Sequence, residues 1–270
     1  MITMIITKKE WDYILERPGS RFKVKVDFGL KEIDVCVGEE TVAFAGVSSI
    51  SVKEKVKENF CYLVRDNKIE PLAYFSDDTN RFYKLTPTSD WPTLSIGSVP
   101  MHKLSSPKKD TENKINMLKP YGLVLDTCMG LGYSAILASQ NAKVITFEKD
   151  ENVYNLAKLN PISEELFSSG NIEVKSADVS SAIKEFSENH FDCIIHDPPT
   201  FKLAPELFTE AFYRELYRVL KEKGRLFHYT PLYKISQGYD FPFKIEKKLK
   251  KTGFKILDFS PGKGGIVCKK

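Results

Sequence analysis

The residues able to do chemistry fall at a series of strand ends. Gly122-Leu-Val-Leu-Asp126 is an apolar run closing on an acid, the pattern of a parallel strand buried on both faces. Thr127-Cys-Met-Gly130-Leu-Gly132-Tyr-Ser-Ala135 follows, leading into a helix expected to run through about Ser139. Two glycines after a strand permit a tight turn and let the backbone approach a ligand at a helix N-terminus. Alone this G-x-G-x-x-A pattern fits a nicotinamide dinucleotide equally well, or an incidental glycine turn. The next strand, Lys143-Val-Ile-Thr-Phe-Glu148, ends in an acid where Rossmann-type domains hold ribose hydroxyls. A third, Asn171-Ile-Glu-Val-Lys175, leads to Asp178, which can meet an adenine amino group or cap the helix expected over Val179–Phe186.

The fourth strand separates the cofactors. Phe191-Asp-Cys-Ile-Ile-His196 runs into Asp197-Pro198-Pro199-Thr200-Phe201. Consecutive prolines remove donors and fix the backbone, leaving carbonyls as acceptors. The Asp197 carboxylate and the Pro198 carbonyl then offer two acceptors to one amino group, and the Phe201 ring can stack on a flat base. That arrangement aims an sp² amine at a methyl donor, which catalysis by proximity needs. A dehydrogenase has no use for it. His196 beside Asp197, and His228 with Tyr229 at the end of Arg225-Leu-Phe-His-Tyr-Thr230, stand where ligands of open α/β sheets gather. They are candidate site residues, weighed against purely structural roles.

The elements that position these groups show two rhythms. From Arg21 to about Thr86 short period-two runs (Phe22–Phe28, Ile33–Val37, Thr41–Ala45) are separated by Gly29 and Gly38 and read as antiparallel strands. Cys61–Val64 and Ala73–Phe75 can extend the same sheet, and Ile50–Phe60 carries Val52, Val56 and Phe60 at helical spacing. Residues 1–86 are therefore expected as a small α+β domain. Residues 87–104, opening on Thr86-Pro-Thr-Ser-Asp-Trp-Pro-Thr93, are expected as a linker. From 105 to 270 strands and helices alternate, which means parallel βαβ units. A polar break at Pro107–Asp110 precedes a helix ending near Leu118. Phe208–Leu220 is amphipathic, with Lys221-Glu-Lys-Gly224 as its terminator, and Phe254–Phe259 with Gly265–Cys268 reads as a closing hairpin.

Bulk composition narrows the class. In 270 residues, 42% hydrophobic and 28% charged, no apolar run is long enough to span a bilayer as a helix. Met1–Thr7 lacks the order of a signal peptide, so a cytoplasmic location is expected. Five cysteines are scattered without CxxC spacing and there are four histidines, so no metal site is expected and the thiols read as buried and reduced. The net charge of +4 is small, but nine lysines crowd Lys244–Lys270 against Glu246 and Asp258. Such a face can meet phosphates, or be a solvated helix surface.

Together, Asp126-Thr-Cys-Met-Gly-Leu-Gly132, Glu148 and His196-Asp-Pro-Pro-Thr-Phe201 resemble the motifs of class I S-adenosylmethionine-dependent methyltransferases, over about the last 165 residues. The resemblance implies a Rossmann-like seven-stranded α/β sheet with a reversed last strand, S-adenosyl-L-methionine as cofactor, and no metal or membrane partner. It places Gly130 and Gly132 at the donor's methionine portion, Asp126 near its amino group, and Thr127, Tyr133, Glu148, Lys149, Asp178 and Asp197 among the donor contacts. Asp197, Pro198, Pro199, Phe201 and His196 become the catalytic set, with Thr200, His228 and Tyr229 as substrate contacts. More narrowly, Pro92-Thr-Leu94, Met101-His-Lys103, Phe212-Tyr-Arg-Glu-Leu-Tyr-Arg-Val-Leu220 and Phe227-His-Tyr-Thr230 resemble an archaeal group of RNA methyltransferases, which implies ribosomal RNA and the N4 amine of a cytidine. Thr200 departs from the aromatic usual in amino methyltransferases. Similar loops occur in enzymes acting on a guanine ring nitrogen and on cytosine C5. C5 chemistry needs a cysteine nucleophile, and Cys128 lies in the cofactor loop instead. Protein or small-molecule methylation, an inactive binding subunit and aminopropyl transfer are the competing readings.

Overall fold

The computed structural model describes residues 3–45, 49–102, 105–230 and 241–270; Lys103 of the archaeal resemblance lies outside them. Packing divides the chain into two compact units, Met1–Pro107 with Lys158–Ile162, and Lys108–Ala157 with Ser163–Lys270.

The first unit contains β1 (Met4–Ile6), α1 (Lys8–Leu15), β2 (Arg21–Val26), β3 (Lys31–Val37), β4 (Thr41–Phe44), β5 (Ser49–Ser51), β6 (Tyr62–Arg65), β7 (Lys68–Pro71), β8 (Ala73–Ser76), β9 (Arg81–Thr86), β10 (Thr93–Ile96) and β11 (Val99–Pro100). Thr7 and Glu10 form a reciprocal capping box that starts α1, and Trp11 and Ile14 are its buried face. The expected single sheet is three: β1-β6-β7, β2-β3-β4-β5 and β11-β10-β9-β8. Alternation in a strand fixes which face is apolar but says nothing of its partner. The expected helix over Ile50–Phe60 is also corrected. Val52, Val56 and Phe60 pack on the core from an irregular segment. That segment's polar backbone is met by side chains: Trp11 donates to the Glu54 carbonyl, and the Lys57 N–H donates to Tyr62. The expected linker holds β10 and β11; Thr93–Ile96 pair with Tyr83–Thr86 on β9.

In the second unit the order is α2 (Pro107–Leu118), β12 (Gly122–Asp126), α3 (Tyr133–Ser139), β13 (Ala142–Glu148), α4 (Glu151–Leu159), α5 (Glu164–Ser168), β14 (Ile172–Ser176), α6 (Val179–Ala182), β15 (Phe191–His196), α7 (Glu210–Val219), β16 (Leu220–Tyr229), α8 (Phe241–Lys251), β17 (Lys255–Ser260) and β18 (Gly265–Lys269). The expected polar break at Pro107–Asp110 is the first turn of α2. The seven strands run β14-β13-β12-β15-β16-β18-β17, parallel except for β18, which is antiparallel to both neighbours. This is the Rossmann-like α/β sheet with a reversed last strand. Lys221–Gly224, expected to end α7, instead begin β16: Leu220 already pairs with Phe191, and a register shift admits the extra residues. The core gathers Leu125, Phe191, Ile194, Phe212, Tyr213, Leu216, Leu226 and Ile266.

The strand order reverses between β12 and β15. With right-handed crossovers, the connections on the two sides of this point leave on opposite faces of the sheet, which opens a crevice at the carboxyl ends. Asp126, Glu148 and His196 end β12, β13 and β15, so the chemistry-bearing residues converge there.

Candidate active site

Asp126 is fully buried at the end of β12. Thr146 on β13 (2.9 Å) and Ser134 on α3 (3.3 Å) both donate to its Oδ2. Oδ1 is also buried and has no hydrogen-bond partner among the described residues. Burial, against the hydrogen bond from Thr146 and with the nearby Asp197 charge adding to it, pushes the carboxyl up from 3.8 to about 7. A buried acceptor of this kind is costly unless a donor arrives, and a ligand ammonium supplies both donor and charge.

Gly130 and Gly132 both have positive φ, at +55° and +79°. A Cβ on Gly130 would meet nothing within 4 Å, so the backbone there borders open space. A Cβ on Gly132 would lie 2.4 Å from Leu166, so this glycine serves packing as well as turn geometry. The Gly130 N–H donates to Glu148 Oε2 (3.1 Å) and the Asp150 N–H to Oε1 (2.9 Å). Burial raises the Glu148 carboxyl to about 7 despite these bonds. Each oxygen keeps a lone pair for a ribose hydroxyl. Asp178 caps α6 by accepting from the Ser180 N–H (2.8 Å) and pairs with Lys149 (3.3 Å). Burial opposes ionisation of Asp178, but the bonds from Ser180 and Lys149 outweigh it and lower its carboxyl. Lys149 also holds Glu206 at 2.7 Å. The residues present therefore fit a donor carrying an ammonium, a ribose and an adenine.

Several expected contacts are redirected by burial. The Thr127 hydroxyl lies inside the fold, 2.8 Å from His196 Nδ1. Tyr133 is 1% exposed. His196 is wholly buried, with Nε2 facing the Leu207 carbonyl at 3.0 Å. A carbonyl only accepts, so Nε2 carries the proton and Nδ1 accepts from Thr127. His228 is equally buried: Nδ1 donates to the Tyr229 carbonyl at 2.6 Å, and Nε2 accepts from Tyr213 at 2.8 Å. Desolvation holds His196 well below the usual imidazole range, and lowers His228 to about 4. Both rings are neutral framework residues with every nitrogen occupied, so neither fits the catalytic or substrate-contacting role expected of it. Their side chains stack edge to face, 4.6 Å between centroids, and brace the ends of β15 and β16.

The target loop is different. Pro198 is buried, Asp197, Pro199 and Thr200 are half-buried, and Phe201 keeps 49% of its surface exposed beside Phe208 and Phe241. Asp197 has a partner that sequence reading missed. Lys114 on α2 donates to Asp197 Oδ2 at 2.6 Å and pairs with Asp110 at 2.9 Å, and its ammonium lies 5.0 Å from the centre of the Tyr229 ring. The Lys114 side chain is 2% exposed. Burial disfavours its charge, but the two carboxylates more than compensate and raise it above the ordinary lysine range. A signal existed: Pro107, Asp110, Thr111, Lys114 and Leu118 share the inward stripe of α2, so charged residues occupy positions an amphipathic helix normally fills with apolar ones.

Of the cysteines, Cys61, Cys193 and Cys268 are buried and Cys128 is half-buried, with burial raising all four thiols. Cys36 is exposed, contrary to expectation, because it faces outward on β3. Among the described residues no group of three or more potential ligands could hold a metal ion, and no helix is long and apolar enough to cross a membrane.

Residues 151–259 match a family described as S-adenosyl-L-methionine-dependent methyltransferase. The chain is 44% identical over 218 residues to the uncharacterized protein MJ1233 of Methanocaldococcus jannaschii, covering 77% of this chain and 74% of that one. The chain belongs to this family of S-adenosylmethionine-dependent methyltransferases. Among solved structures it is similar to spermidine synthase in complex with the transition-state analogue AdoDATO (TM-score 0.57, 19% identity, 75% and 76% coverage). It is also similar to spermidine synthase of Thermotoga maritima (0.54, 18%, 75% of each chain) and to MnmC2 of Aquifex aeolicus (0.50, 19%, 69% of each). These likenesses show the fold. The methyltransferase uses S-adenosyl-L-methionine as its methyl donor.

Proposed function

We propose that this methyltransferase acts on RNA, methylating a base exocyclic amine, with N4 of a cytidine in ribosomal RNA as the favoured target. One observation carries the reading: Asp197-Pro198-Pro199-Thr200-Phe201 follows β15 directly, beside the strand that ends in Asp126, and combines an ion-paired carboxylate with a half-exposed aromatic ring. Bound against Gly130, Gly132, Asp126, Glu148 and Asp178, S-adenosylmethionine supplies an electrophilic methyl group. Asp126 receives the donor's ammonium, Glu148 the ribose and Asp178 the adenine edge; Lys149 steadies Asp178.

Phe201 stacks the flipped base, and Asp197 with the Pro198 carbonyl accepts the two amine hydrogens. The nitrogen lone pair is then left pointing out of the base plane, toward the methyl group. Asp197 works as an acceptor that orients, because the amine sheds its extra proton after transfer. Thr200, within this loop, and Tyr229, whose ring faces Lys114, are the further substrate contacts in this reading. The exposed lysines Lys244, Lys247, Lys250, Lys251 and Lys255 on and after α8, together with the N-terminal unit, hold the RNA backbone. Lys250 and Lys251 also pair with Glu246 and Glu210, both ammoniums being exposed and the carboxylates half-buried.

The test is methyl transfer from radiolabelled S-adenosylmethionine into total RNA from a strain lacking the gene, followed by nucleoside analysis. Labelled N4-methylcytidine is the expected product, and Asp197→Ala should abolish it while donor affinity changes less than about threefold. Label in another nucleoside moves the target atom. Absence of label, with the donor bound, replaces the RNA reading with a protein or small-molecule acceptor or an inactive subunit.

A further inference from the structure

A second exposed aromatic ring stands at the same end of the sheet as Phe201. Phe243, in the first turn of α8, keeps 52% of its surface exposed. A lone exposed phenylalanine needs no explanation, but Phe243 belongs to a row. Phe201 lies 5.7 Å from Phe208 and 6.5 Å from Phe241 between ring centres, Phe208 lies 5.7 Å from Phe241, and Phe243 lies 4.8 Å from Phe259 on β17. Phe208 is buried, and Phe241 and Phe259 are half-buried, so of these five rings Phe201 and Phe243 are the open ones. The strand register shows where the row runs. Phe259 pairs with Ile266, Ile266 with His228, and His228 with His196, so Phe259 stands level with the residue before Asp197. The row thus follows the carboxyl edge on which the donor and target residues converge. Three strand spacings separate β15 from β17, about 14 Å. Helix α8 bridges them: Phe241 meets the target loop and Phe243 meets β17, on either flank of the buried stripe Pro242, Ile245 and Leu249.

Cations accompany both open rings. Lys202 follows Phe201, Lys244 follows Phe243, Lys247 lies one turn beyond Phe243 on the same face of α8, and Lys263 sits in the turn between β17 and β18; all four are exposed. The acids of these segments are engaged: Glu206 holds Lys149 at 2.7 Å, Glu246 holds Lys250 at 2.6 Å, and Asp258 accepts from the Ser260 hydroxyl at 2.5 Å. We propose that Phe243 is a second base-stacking platform, and that the substrate is an unpaired RNA segment crossing the carboxyl edge from Phe201 to Phe243. This rests on the reading that the target is RNA. In a duplex each base face is covered by its neighbours, whereas every unpaired base offers a face to an aromatic ring. The lysines beside the rings meet the phosphates of the stacked nucleotides. A protein partner would also cover aromatic rings, but lysine is depleted from such interfaces, and four exposed lysines along the row complement a polyanion.

The experiment measures binding of the full chain to an unstructured polypyrimidine RNA of about 12 nucleotides, and to the same strand annealed to its complement, by fluorescence anisotropy. The single strand should bind at least about tenfold more tightly than the duplex. F243A should weaken single-strand binding by about five- to a hundredfold and F243W should stay within about threefold of wild type. The salt dependence of F243A should match wild type because no charge is removed, whereas K247Q should lower the slope by about 0.7. F167A removes an exposed ring from α5, which packs by β14 at the far edge of the sheet, and should change nothing. If F243A does not fold, crosslinking of wild type to the same oligonucleotide carrying 4-thiouridine decides, and the crosslinked peptide must contain Phe243. Equal binding of duplex and single strand, wild-type affinity in F243A, or crosslinks that avoid Phe243 overturns the proposal. Methyl transfer into the deletion-strain RNA separates the two readings. If that RNA is labelled and F243A keeps the wild-type KM, only the role of Phe243 fails. If no RNA is labelled and neither oligonucleotide binds, the RNA reading fails and takes this one with it, leaving the face to a protein.

Discussion

Replacing Asp126 by Asn should stabilise the free protein above neutral pH while weakening its hold on the donor. In the fold the Asp126 carboxyl is pushed from 3.8 to about 7, burial being the main cause. The folded chain therefore binds a proton that the unfolded chain has released between those two values. The stability that goes with this neutral acid is fully present below pH 3.8 and is lost as pH rises through about 7. At about 1.4 kcal/mol per tenfold in acidity, holding the bare carboxylate at pH 8 costs on the order of 4 kcal/mol. Asn cannot ionise, and its oxygen can still accept from Thr146 and Ser134. Its amide would sit where Oδ1 now lies without a partner among the described residues, at a cost of about 1–3 kcal/mol. The net gain is about 2 kcal/mol, or roughly 5 °C in melting temperature for a chain this long. The gain should appear at pH 8 and vanish at pH 5, where the wild-type acid is itself neutral. Donor affinity at pH 8 should fall on the order of 10–100-fold, the worth of a charge-assisted hydrogen bond. Thermal melts at the two pH values and isothermal titration with S-adenosylmethionine measure both effects. A melting difference independent of pH, or wild-type donor affinity in D126N, would refute the reasoning.

Three further outcomes are expected. Gly132→Ala should destabilise by about 2–4 kcal/mol in urea unfolding, from left-handed backbone strain and the overlap with Leu166, and Leu166→Ala in the same chain should recover part of the loss. Tyr213→Phe leaves His228 Nε2 buried without its donor and should cost about 1–3 kcal/mol; a change below 0.5 kcal/mol would mean the hydroxyl is not needed there. Phe201→Ala should raise KM for RNA by about tenfold or more, the worth of one stacked base, with donor affinity unchanged, whereas Phe201→Tyr should keep KM near wild type.

How much of this was legible in the sequence differs between its halves. In the second unit β12, β13 and β15 are mostly apolar runs that end on an acid or lead straight into one. Run, turn and helix follow within a few residues, so local signals set the βαβ order and put Asp126, Gly130, Gly132, Glu148, Asp178 and Asp197 at strand ends. In the first unit the sequence marked five of the eleven described strands, β2, β3, β4, β6 and β8, and their grouping into three sheets was hidden, because a strand's partner is chosen by packing across long sequence separations. Burial divided the site residues in a way residue type could not. His196, His228 and Thr127 look like site chemistry by position, but their polar atoms are consumed by Leu207, Tyr213, Tyr229 and one another. Lys114 went unnoticed for the opposite reason: a lysine on a polar helix reads as solvated. Its ion pair with Asp197 exists only because the fold brings residue 197 to within 2.6 Å of residue 114, a pairing between positions far apart along the chain.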